Sequence, residues 1–277
     1  MRLHPVARLT GLSPRRRAFF AGVTLIVVAL AATGATRAAL SSGNQARATA
    51  ATVRSDVLLV PGYGGSMSGL DQLAGRIRRT GRRATVVALP GGGTGDLRAQ
   101  AEVLNRYVNQ ALNAGSGPVT VIGYSAGGVV TWLWDVDYHS TSRVRRIITL
   151  GSPLHGARLA ALGTAFDPSE CPVACQQLAP GSSLLTELQR APVRRPPWLS
   201  LWTTGDQVVQ PPDSARLLGA INVPLQSICA GIGISHGQLP VSSLVTGIVL
   251  TALRGPDLTP PASSQCLALQ ALGAELH

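Results

Sequence analysis

The chain has 277 residues, of which 45% are hydrophobic and 13% are charged, and this balance excludes an intrinsically disordered protein. The formal net charge is +11, and all 24 basic residues are arginine. Eight of these arginines lie in the first 54 residues, which contain no acidic residue, whereas from Ser55 onward 16 arginines face 13 acidic residues. Because the charge excess belongs to the N-terminal segment, we expect no nucleic-acid partner for the folded part.

The N-terminal segment, residues 1–50, has the composition of an export signal. Five arginines lie within residues 1–17, and the 19 residues 18–36 carry no charge. A basic region followed by an apolar stretch directs secretion, and Ala46-Arg47-Ala48 is a candidate cleavage site. The uncharged stretch is also just long enough to span a bilayer. We therefore predict a signal peptide or a membrane anchor, and a secreted or extracytoplasmic folded part.

Beyond Ser55, short apolar runs alternate with segments of helical periodicity. The runs predict strands buried on both faces, and they cover residues 57–60, 84–89, 119–124, 144–150, 199–204 and 223–229. Apolar residues at helical spacing predict helices over 70–77, over 97–112, directly after Tyr124, and finally over 241–253. Repeated strand–helix units predict an α/β domain over residues 55–277, with a mostly parallel central sheet flanked by helices.

One stretch interrupts this alternation. Residues 156–198 separate two predicted strands and contain several prolines, a cysteine pair and one candidate helix that begins near Ser182-Ser183. Open α/β sheets bind ligands beyond the carboxyl ends of their strands. We therefore expect a lid-like insertion at that edge, which serves either as a lid or pocket wall or as a structural flap.

The candidate nucleophile is Ser125. It lies in Gly123-Tyr124-Ser125-Ala126-Gly127, which matches the pattern G-x-S-x-G between a predicted buried strand and a predicted helix. This is the setting of a nucleophile elbow, in which a strained backbone exposes the serine hydroxyl. Small residues two positions before and after the serine let the strand and the helix pass closely.

A serine nucleophile needs a base, and the chain has five histidines. His4 lies in the N-terminal segment and His277 is the last residue. His139 lies at the end of the helix after the elbow, where we expect it to cap the helix or to face water. His155 follows a predicted strand and is a candidate for the rim of the site. His236 follows the last predicted strand and is our candidate base.

The base needs an acid to orient it, and two aspartates compete for this role. Asp206 directly follows a predicted strand end and turn, whereas Asp213 follows two prolines and is typical of a helix N-cap. We favour Asp206, since the sheet is expected to present the loops of a site at its strand ends. The resulting chain order Ser125, Asp206, His236 is the order that accompanies this kind of elbow.

An oxyanion hole would complete the site. Backbone N–H groups must point at the developing negative charge. One is expected from Ala126, the residue after the nucleophile, and the other from Tyr63, in the glycine-rich turn 61–65 that follows the first predicted strand.

A second glycine-rich turn, residues 91–95, resembles a phosphate-binding loop. Asp96 stands where the dinucleotide-binding pattern needs its third glycine, and no Gly-Lys-Ser/Thr follows. We interpret the segment as a tight turn with Asp96 as the cap of the next helix.

Four cysteines in an apparently exported chain predict two disulfides. Three pairings are possible, and we favour Cys171–Cys175 with Cys229–Cys266. The first pair lies in a short loop bent by Pro172, and the second would tie a proline-rich C-terminal segment to the body. Zinc binding is the alternative, but Cys-x3-Cys without a nearby histidine is a poor zinc pattern, so we predict no metal site.

Taken together, these motifs resemble those of secreted bacterial lipases and esterases of the α/β-hydrolase superfamily, in particular small actinobacterial and Bacillus-type triacylglycerol lipases. The resemblance rests on residues 57–65, 123–128, 150–156, 205–206 and 235–237. It implies hydrolysis of carboxylic esters without an organic cofactor. The chain departs from the family pattern at Pro61, where the oxyanion strand usually ends in His-Gly, and at Tyr124, where the elbow often has histidine.

Three functions remain open at this point. The leading one is a serine esterase or lipase that acts on a lipid or another ester, with contact to a lipid interface as a further expectation. The second is an acyltransferase of the same fold, in which another alcohol replaces water. The third is a non-catalytic lipid-binding envelope protein, which the intact order Ser125, Asp206, His236 disfavours because a binding protein needs no base. We expect a monomer.

Overall fold

The computed structural model describes residues 55–65, 67–166, 169–192 and 196–275, and the predicted N-terminal signal or anchor lies outside them. Six described strands form one sheet: β1 (Ser55–Val60), β2 (Ala84–Val86), β3 (Gly117–Tyr124), β4 (Val144–Leu150), β5 (Trp198–Trp202) and β6 (Ile221–Pro224). Their order across the sheet is β2-β1-β3-β4-β5-β6, and each adjacent pair is parallel. The predicted parallel sheet is confirmed.

Nine α-helices are described along the chain. They are α1 (Ser68–Arg79), α2 (Leu97–Asn113), α3 (Ala126–Tyr138), α4 (Arg158–Phe166), α5 (Val173–Gln177), α6 (Ser183–Arg190), α7 (Leu225–Ile228), α8 (Ser243–Arg254) and α9 (Cys266–Ala274). Asp96 caps α2 as predicted, because its carboxylate accepts a hydrogen bond of 2.9 Å from the backbone N–H of Ala99.

The helices cover both faces of the sheet, which explains why the strands are mostly apolar. Leu58 and Val60 of β1 belong to the core on one face, together with residues of α2 and α3. Val57 and Leu59, their immediate neighbours, belong to the core on the other face, together with residues of α1 and α8. Successive side chains of a strand point to opposite faces, so a strand covered on both sides is apolar at successive positions and not only at alternate ones.

Three predicted elements differ from the structure. The strand predicted over 84–89 ends at Val86, and the one predicted over 223–229 ends at Pro224, after which α7 begins. Proline has no N–H to continue a ladder of hydrogen bonds, yet its fixed φ suits the start of a helix. The helix over 241–253 is present as α8 but is not the last, since α9 packs against it. The two helices are so close at this contact that a Cβ on Gly247 or Gly273 would lie 1.9 Å from a backbone oxygen of the other helix.

The inserted segment contains three helices, of which only α6 was predicted. Ser182 caps α6 by accepting a hydrogen bond of 3.2 Å from the N–H of Leu185. The side chain of Gln177, at the end of α5, accepts a 2.8 Å hydrogen bond from the backbone N–H of Leu97. Arg98 forms an ion pair with Glu187 of α6 at 2.9 Å. The start of α2 therefore anchors both α5 and α6 to the body of the fold.

Both predicted disulfides are formed. Cys171 is bonded to Cys175 next to α4, where a Cβ on Gly163 would lie 3.2 Å from the nearer sulfur atom. Cys229, at the end of α7, is bonded to Cys266, the first residue of α9. The second disulfide thus joins the C-terminal helix to the segment that precedes His236.

Across the described part of the chain, no helix is both long enough and apolar enough to cross a membrane.

Candidate active site

Ser125 lies in a strained turn between β3 and α3. Its backbone has φ 52° and ψ −128°, a conformation that is costly for a residue with a side chain. The turn is tight because two glycines permit it: a Cβ on Gly123 would lie 2.6 Å from the Cα of Gly128, and one on Gly127 would lie 2.3 Å from the carbonyl oxygen of Val60. The predicted elbow geometry is therefore present, with Ser125 at the carboxyl end of a central strand.

The structure brings Ser125, His236 and Asp206 into one chain of hydrogen bonds. Nε2 of His236 lies 3.0 Å from Oγ of Ser125, and Nδ1 lies 2.7 Å from Oδ2 of Asp206. All three residues are buried, with at most 9% of their surface exposed. A carboxylate can only accept, so the N–H of the imidazole lies at Nδ1 and Nε2 is free to accept the serine proton.

The second oxygen of Asp206 is held by the backbone. Its Oδ1 accepts hydrogen bonds from the N–H groups of Val208 at 2.9 Å and Val209 at 2.8 Å. Both carboxylate oxygens are thus engaged, one by the loop and one by the imidazole. This arrangement fixes the orientation of the carboxylate toward His236.

Tyr124 packs against the imidazole of His236. The two ring centroids are 5.2 Å apart, and the tyrosine hydroxyl donates a hydrogen bond of 3.3 Å to the backbone carbonyl of His236. Burial, and after it the negative charge of Asp206, raises the pKa of Tyr124 to about 12. The hydroxyl therefore keeps its proton at neutral pH and remains a donor to the loop of His236.

The two residues predicted to supply the oxyanion hole, Tyr63 and Ala126, line the same pocket as Ser125. The turn after β1 approaches Ser125 closely, because a Cβ on Gly62 would lie 2.8 Å from the Cβ of Ser125. Only glycine fits this position, and it brings the backbone at 62–63 beside the serine.

The pocket beside Ser125 is apolar. It has a volume of about 580 Å³ including its open mouth. Its lining residues carry no charge; they are Tyr63, Ser125, Ala126, Pro153, Ala157, Leu159, Ala160, Cys175, Leu178, Val208 and Val209. Five of them belong to residues 156–198, so the inserted segment forms one wall of the pocket.

The competing candidates lie elsewhere. Asp213 is exposed within a short 3₁₀ helix, Pro212–Ala215, and Pro211 occupies the N-cap position, so the prediction that Asp213 caps a helix was wrong. The prolines fix the start of this turn without a side-chain cap. His155 is exposed, with Nδ1 3.1 Å from the carbonyl oxygen of Ser214. His139 is the exposed C-cap of α3 in a left-handed conformation.

Two polar residues near the site, Thr203 and Gln226, were not predicted from the sequence. Thr203 follows the last residue of β5, and Gln226 follows the first residue of α7. Their side chains form hydrogen bonds to segments that are distant in the chain, and no local sequence pattern predicts such bonds. Among the described residues, no group of three or more His, Cys, Asp or Glu side chains is placed to hold a metal ion.

No protein-family model matches the sequence, and no curated protein matches it either. Solved structures do match the fold. The structure is similar to that of Aspergillus fumigatus lipase B, with a TM-score of 0.64 and 19% sequence identity over 82% of this chain. This chain spans only 57% of the length of that protein.

A second similar structure is the mature form of Bacillus licheniformis lipase BlEst2, with a TM-score of 0.62 and 19% identity over 73% of this chain and 93% of that one. A third is a bromoperoxidase from Bacillus anthracis, with a TM-score of 0.52 and 12% identity over 72% of this chain and 91% of that one. At these identities the likeness establishes the fold. With a parallel six-stranded sheet between two layers of helices and a serine elbow after β3, the chain has the α/β-hydrolase fold.

Proposed function

We propose that this protein is an exported serine hydrolase that cleaves carboxylic esters with apolar acyl groups, lipids among them. The observation that carries the proposal is the continuous set of hydrogen bonds from Ser125 through His236 to Asp206. A nucleophile, a base and an orienting acid in contact are what acyl transfer through serine requires.

In the first half of the reaction, Oγ of Ser125 attacks the ester carbonyl while Nε2 of His236 takes the hydroxyl proton. Asp206 stabilises the imidazolium that forms. The backbone N–H groups of Tyr63 and Ala126 hold the negative oxygen of the tetrahedral intermediate, each worth about 3 kcal/mol. The intermediate collapses when His236 gives the proton to the leaving alcohol, and an acyl group remains on Ser125.

The second half repeats these steps with water. His236 removes a proton from a water molecule as its oxygen attacks the acyl-enzyme. The second tetrahedral intermediate then releases the carboxylic acid, and His236 returns the proton to Ser125.

The lining of the pocket supports an apolar acyl group as the part of the substrate that binds there. A neutral hydrocarbon chain gains about 0.8 kcal/mol for each methylene group it buries. A charged acyl group would lose its hydration without gaining a charged partner among the described lining residues.

The surface around the mouth supports a lipid as the substrate. Leu159 lines the pocket, and with Leu162 and Phe166 it lies at helical spacing on α4; these side chains are 62%, 51% and 83% exposed. Apolar side chains exposed next to a binding pocket mark a surface that meets other apolar matter. Two of the similar solved structures are named lipases.

Two observations support export. Disulfides persist in oxidising compartments, and this chain contains two. The N-terminal composition described above is that of a secretion signal or an anchor.

The test is hydrolysis of nitrophenyl esters of increasing acyl length, each offered dissolved and as an aggregate, by the wild-type protein and by Ser125→Ala. We expect turnover by the wild type, labelling of Ser125 by a fluorophosphonate probe, and a loss on the order of a million-fold in kcat for Ser125→Ala. Ser263→Ala, at an exposed serine in the C-terminal region, is the matched control. Retention of most ester hydrolysis by Ser125→Ala would overturn the mechanism.

A further inference from the structure

The acid and the base reach the pocket on two separate loops. Asp206 lies four residues beyond the end of β5, and His236 lies eight residues beyond the end of α7. Loops are the parts of a fold that move most easily, yet a displacement of about 1 Å at a catalytic group can cost a hundredfold in rate. The two loops therefore need a connection that fixes their spacing.

Thr203 supplies one part of this connection. Its side chain is completely buried. The hydroxyl donates a hydrogen bond of 2.7 Å to the carbonyl of Ile234, two residues before His236, and it accepts one of 3.2 Å from the N–H of Gly205, next to Asp206. One hydroxyl thus contacts both loops.

Gln226 supplies the other part. Its Nε2 donates to Oγ1 of Thr203 at 2.9 Å and to the carbonyl of Ile232 at 3.0 Å, and its Oε1 accepts from the N–H of Thr204 at 2.9 Å. Both amide hydrogens are used, and the partners fix which way round the amide lies. A flipped amide would set its oxygen against a carbonyl and its nitrogen against an N–H.

The hydroxyl of Thr203 has one hydrogen and two lone pairs, and all three are engaged: one toward the loop of the base, one toward the loop of the acid and one toward Gln226. The network is rigid around Thr203, which is completely buried, because breaking a bond of this hydroxyl leaves a buried polar group without a partner. Neither residue is among those that line the pocket.

We propose that Thr203 and Gln226 form a positioning bracket between the loops of Asp206 and His236. The bracket holds the two loops so that the carboxylate and the imidazole stay at hydrogen-bonding distance. The bracket does not touch the substrate and acts through the acid and the base. This inference rests on the proposed function for its catalytic consequence, whereas the geometry that it maintains can be observed without any substrate.

The test uses two variants that remove bracket hydrogen bonds and one that keeps them. Thr203→Val preserves the side-chain shape and removes the hydroxyl, and Gln226→Glu preserves the acceptor and removes both donors. We expect each to lower kcat by about tenfold to a hundredfold, while KM changes by less than about twofold because the pocket is untouched. Thr203→Ser retains the hydroxyl and should stay close to the wild type.

The matched control is Asn222→Leu. Asn222 lies on β6, the strand next to β5. Its side-chain amide accepts a hydrogen bond from the N–H of Leu217 and donates to the carbonyls of Leu217 and Ala220, and it contacts neither the loop of Asp206 nor the loop of His236 in these bonds. Its loss should lower the melting temperature and leave kcat of the folded protein unchanged.

A proton NMR measurement reports on the geometry directly. The Nδ1 proton shared by His236 and Asp206 should give a far-downfield resonance in the wild type and in Thr203→Ser, and this signal should be broadened or lost by exchange with water in Thr203→Val and Gln226→Glu. An unchanged resonance and kcat in these two variants would overturn the bracket, as would equal losses in Thr203→Ser or in Asn222→Leu.

If the wild type hydrolyses no ester, the proposed function fails, while the NMR measurement still tests the bracket. Should Thr203→Val not fold, Gln226→Glu, at a partly exposed residue, carries the same comparison.

Discussion

Oγ of Ser125 lies 3.0 Å from Nε2 of His236, although the two residues are 111 positions apart in the chain. Asp206, 30 positions before the histidine, completes the contact at 2.7 Å. The parallel sheet explains this convergence. Parallel strands end at a common edge, so the loops that follow β3 and β5 open at the same side as the loop that carries His236.

The two aspartates can be distinguished by substitution. Asp206→Asn should leave the fold intact but favour the wrong tautomer of His236, because an amide can donate to Nδ1. A protease in which the corresponding change was made lost about 10⁴ in kcat. Asp213→Asn changes an exposed side chain and should alter the free energy of unfolding by less than about 0.5 kcal/mol, with unchanged turnover.

Steady-state kinetics with a nitrophenyl ester and urea unfolding of both variants provide the measurement. Near-wild-type kcat for Asp206→Asn together with a collapse for Asp213→Asn would identify the other acid. Normal activity in both would leave His236 without an orienting carboxylate.

Tyr124→Phe tests the hydroxyl that supports the base. The variant keeps the ring against His236 and removes a 3.3 Å hydrogen bond, so we expect a loss of at most about fivefold in kcat, equivalent to about 1 kcal/mol. It should also change the response to alkali. The pKa of Tyr124 is raised from 10.0 to about 12 in the folded protein, so between these values the unfolded chain has lost a proton that the folded protein still holds.

The sign follows from proton linkage: stability from this group is complete below pH 10 and is lost as the pH rises toward 12. Thermal unfolding of Tyr124→Phe should therefore show a shallower decline of Tm across this interval than the wild type. Parallel declines in the two proteins would contradict the assignment.

Ala160 should limit the acyl group that the pocket accepts. It lines the pocket and is 9% exposed, so Ala160→Leu places three further carbons in that space. We expect the preferred ester to become shorter, with kcat/KM falling about fourfold for each methylene that no longer fits. Ala165→Leu, at an exposed position of the same helix that is not in the pocket lining, is the control. The same chain-length profile in all three proteins would place the acyl group elsewhere.

The two disulfides should differ in their contribution to stability. On the chain-entropy model, closing a loop of 37 residues between Cys229 and Cys266 is worth about 4 kcal/mol, whereas closing one of four residues between Cys171 and Cys175 is worth about 2 kcal/mol. Replacing each pair by alanines and measuring urea unfolding compares them. A larger loss of unfolding free energy on removal of Cys171–Cys175 would show that packing against α4 contributes more to stability than loop closure does.

Local patterns were sufficient to predict much of this site. The elbow is contiguous in sequence, and its flanking glycines are required by contacts as short as 2.3 Å. The loops of Asp206 and His236 were predicted because each follows an apolar run in the sequence. The run before Asp206 overlaps β5, and the run before His236 overlaps β6. These signals depend on the continuous apolar runs of strands buried on both faces and on turn chemistry, both of which a short segment carries by itself.

The elements that were missed depend on contacts between distant segments. Residues 225–228 fall within the stretch 223–229 that was predicted as a strand, and the preceding Pro224 is the local feature that distinguishes the helix that they form. Helix α9 is short and is held by packing against α8 and by its disulfide. The hydrogen bonds of Gln226 reach Thr203, which is 23 positions away. Tertiary contacts decide such features, because short segments have little intrinsic preference.

The bond between Cys229 and Cys266 closes a covalent ring that contains His236 and the whole of α8. A protease that cuts once within this ring, for example in the exposed segment around Pro260, opens the backbone but releases no fragment. The histidine and the helix after it stay attached on both sides of the cut, one through the chain and the other through the sulfur atoms. A nicked molecule would therefore migrate as an intact chain until a reductant is added, and we expect it to keep His236 in place.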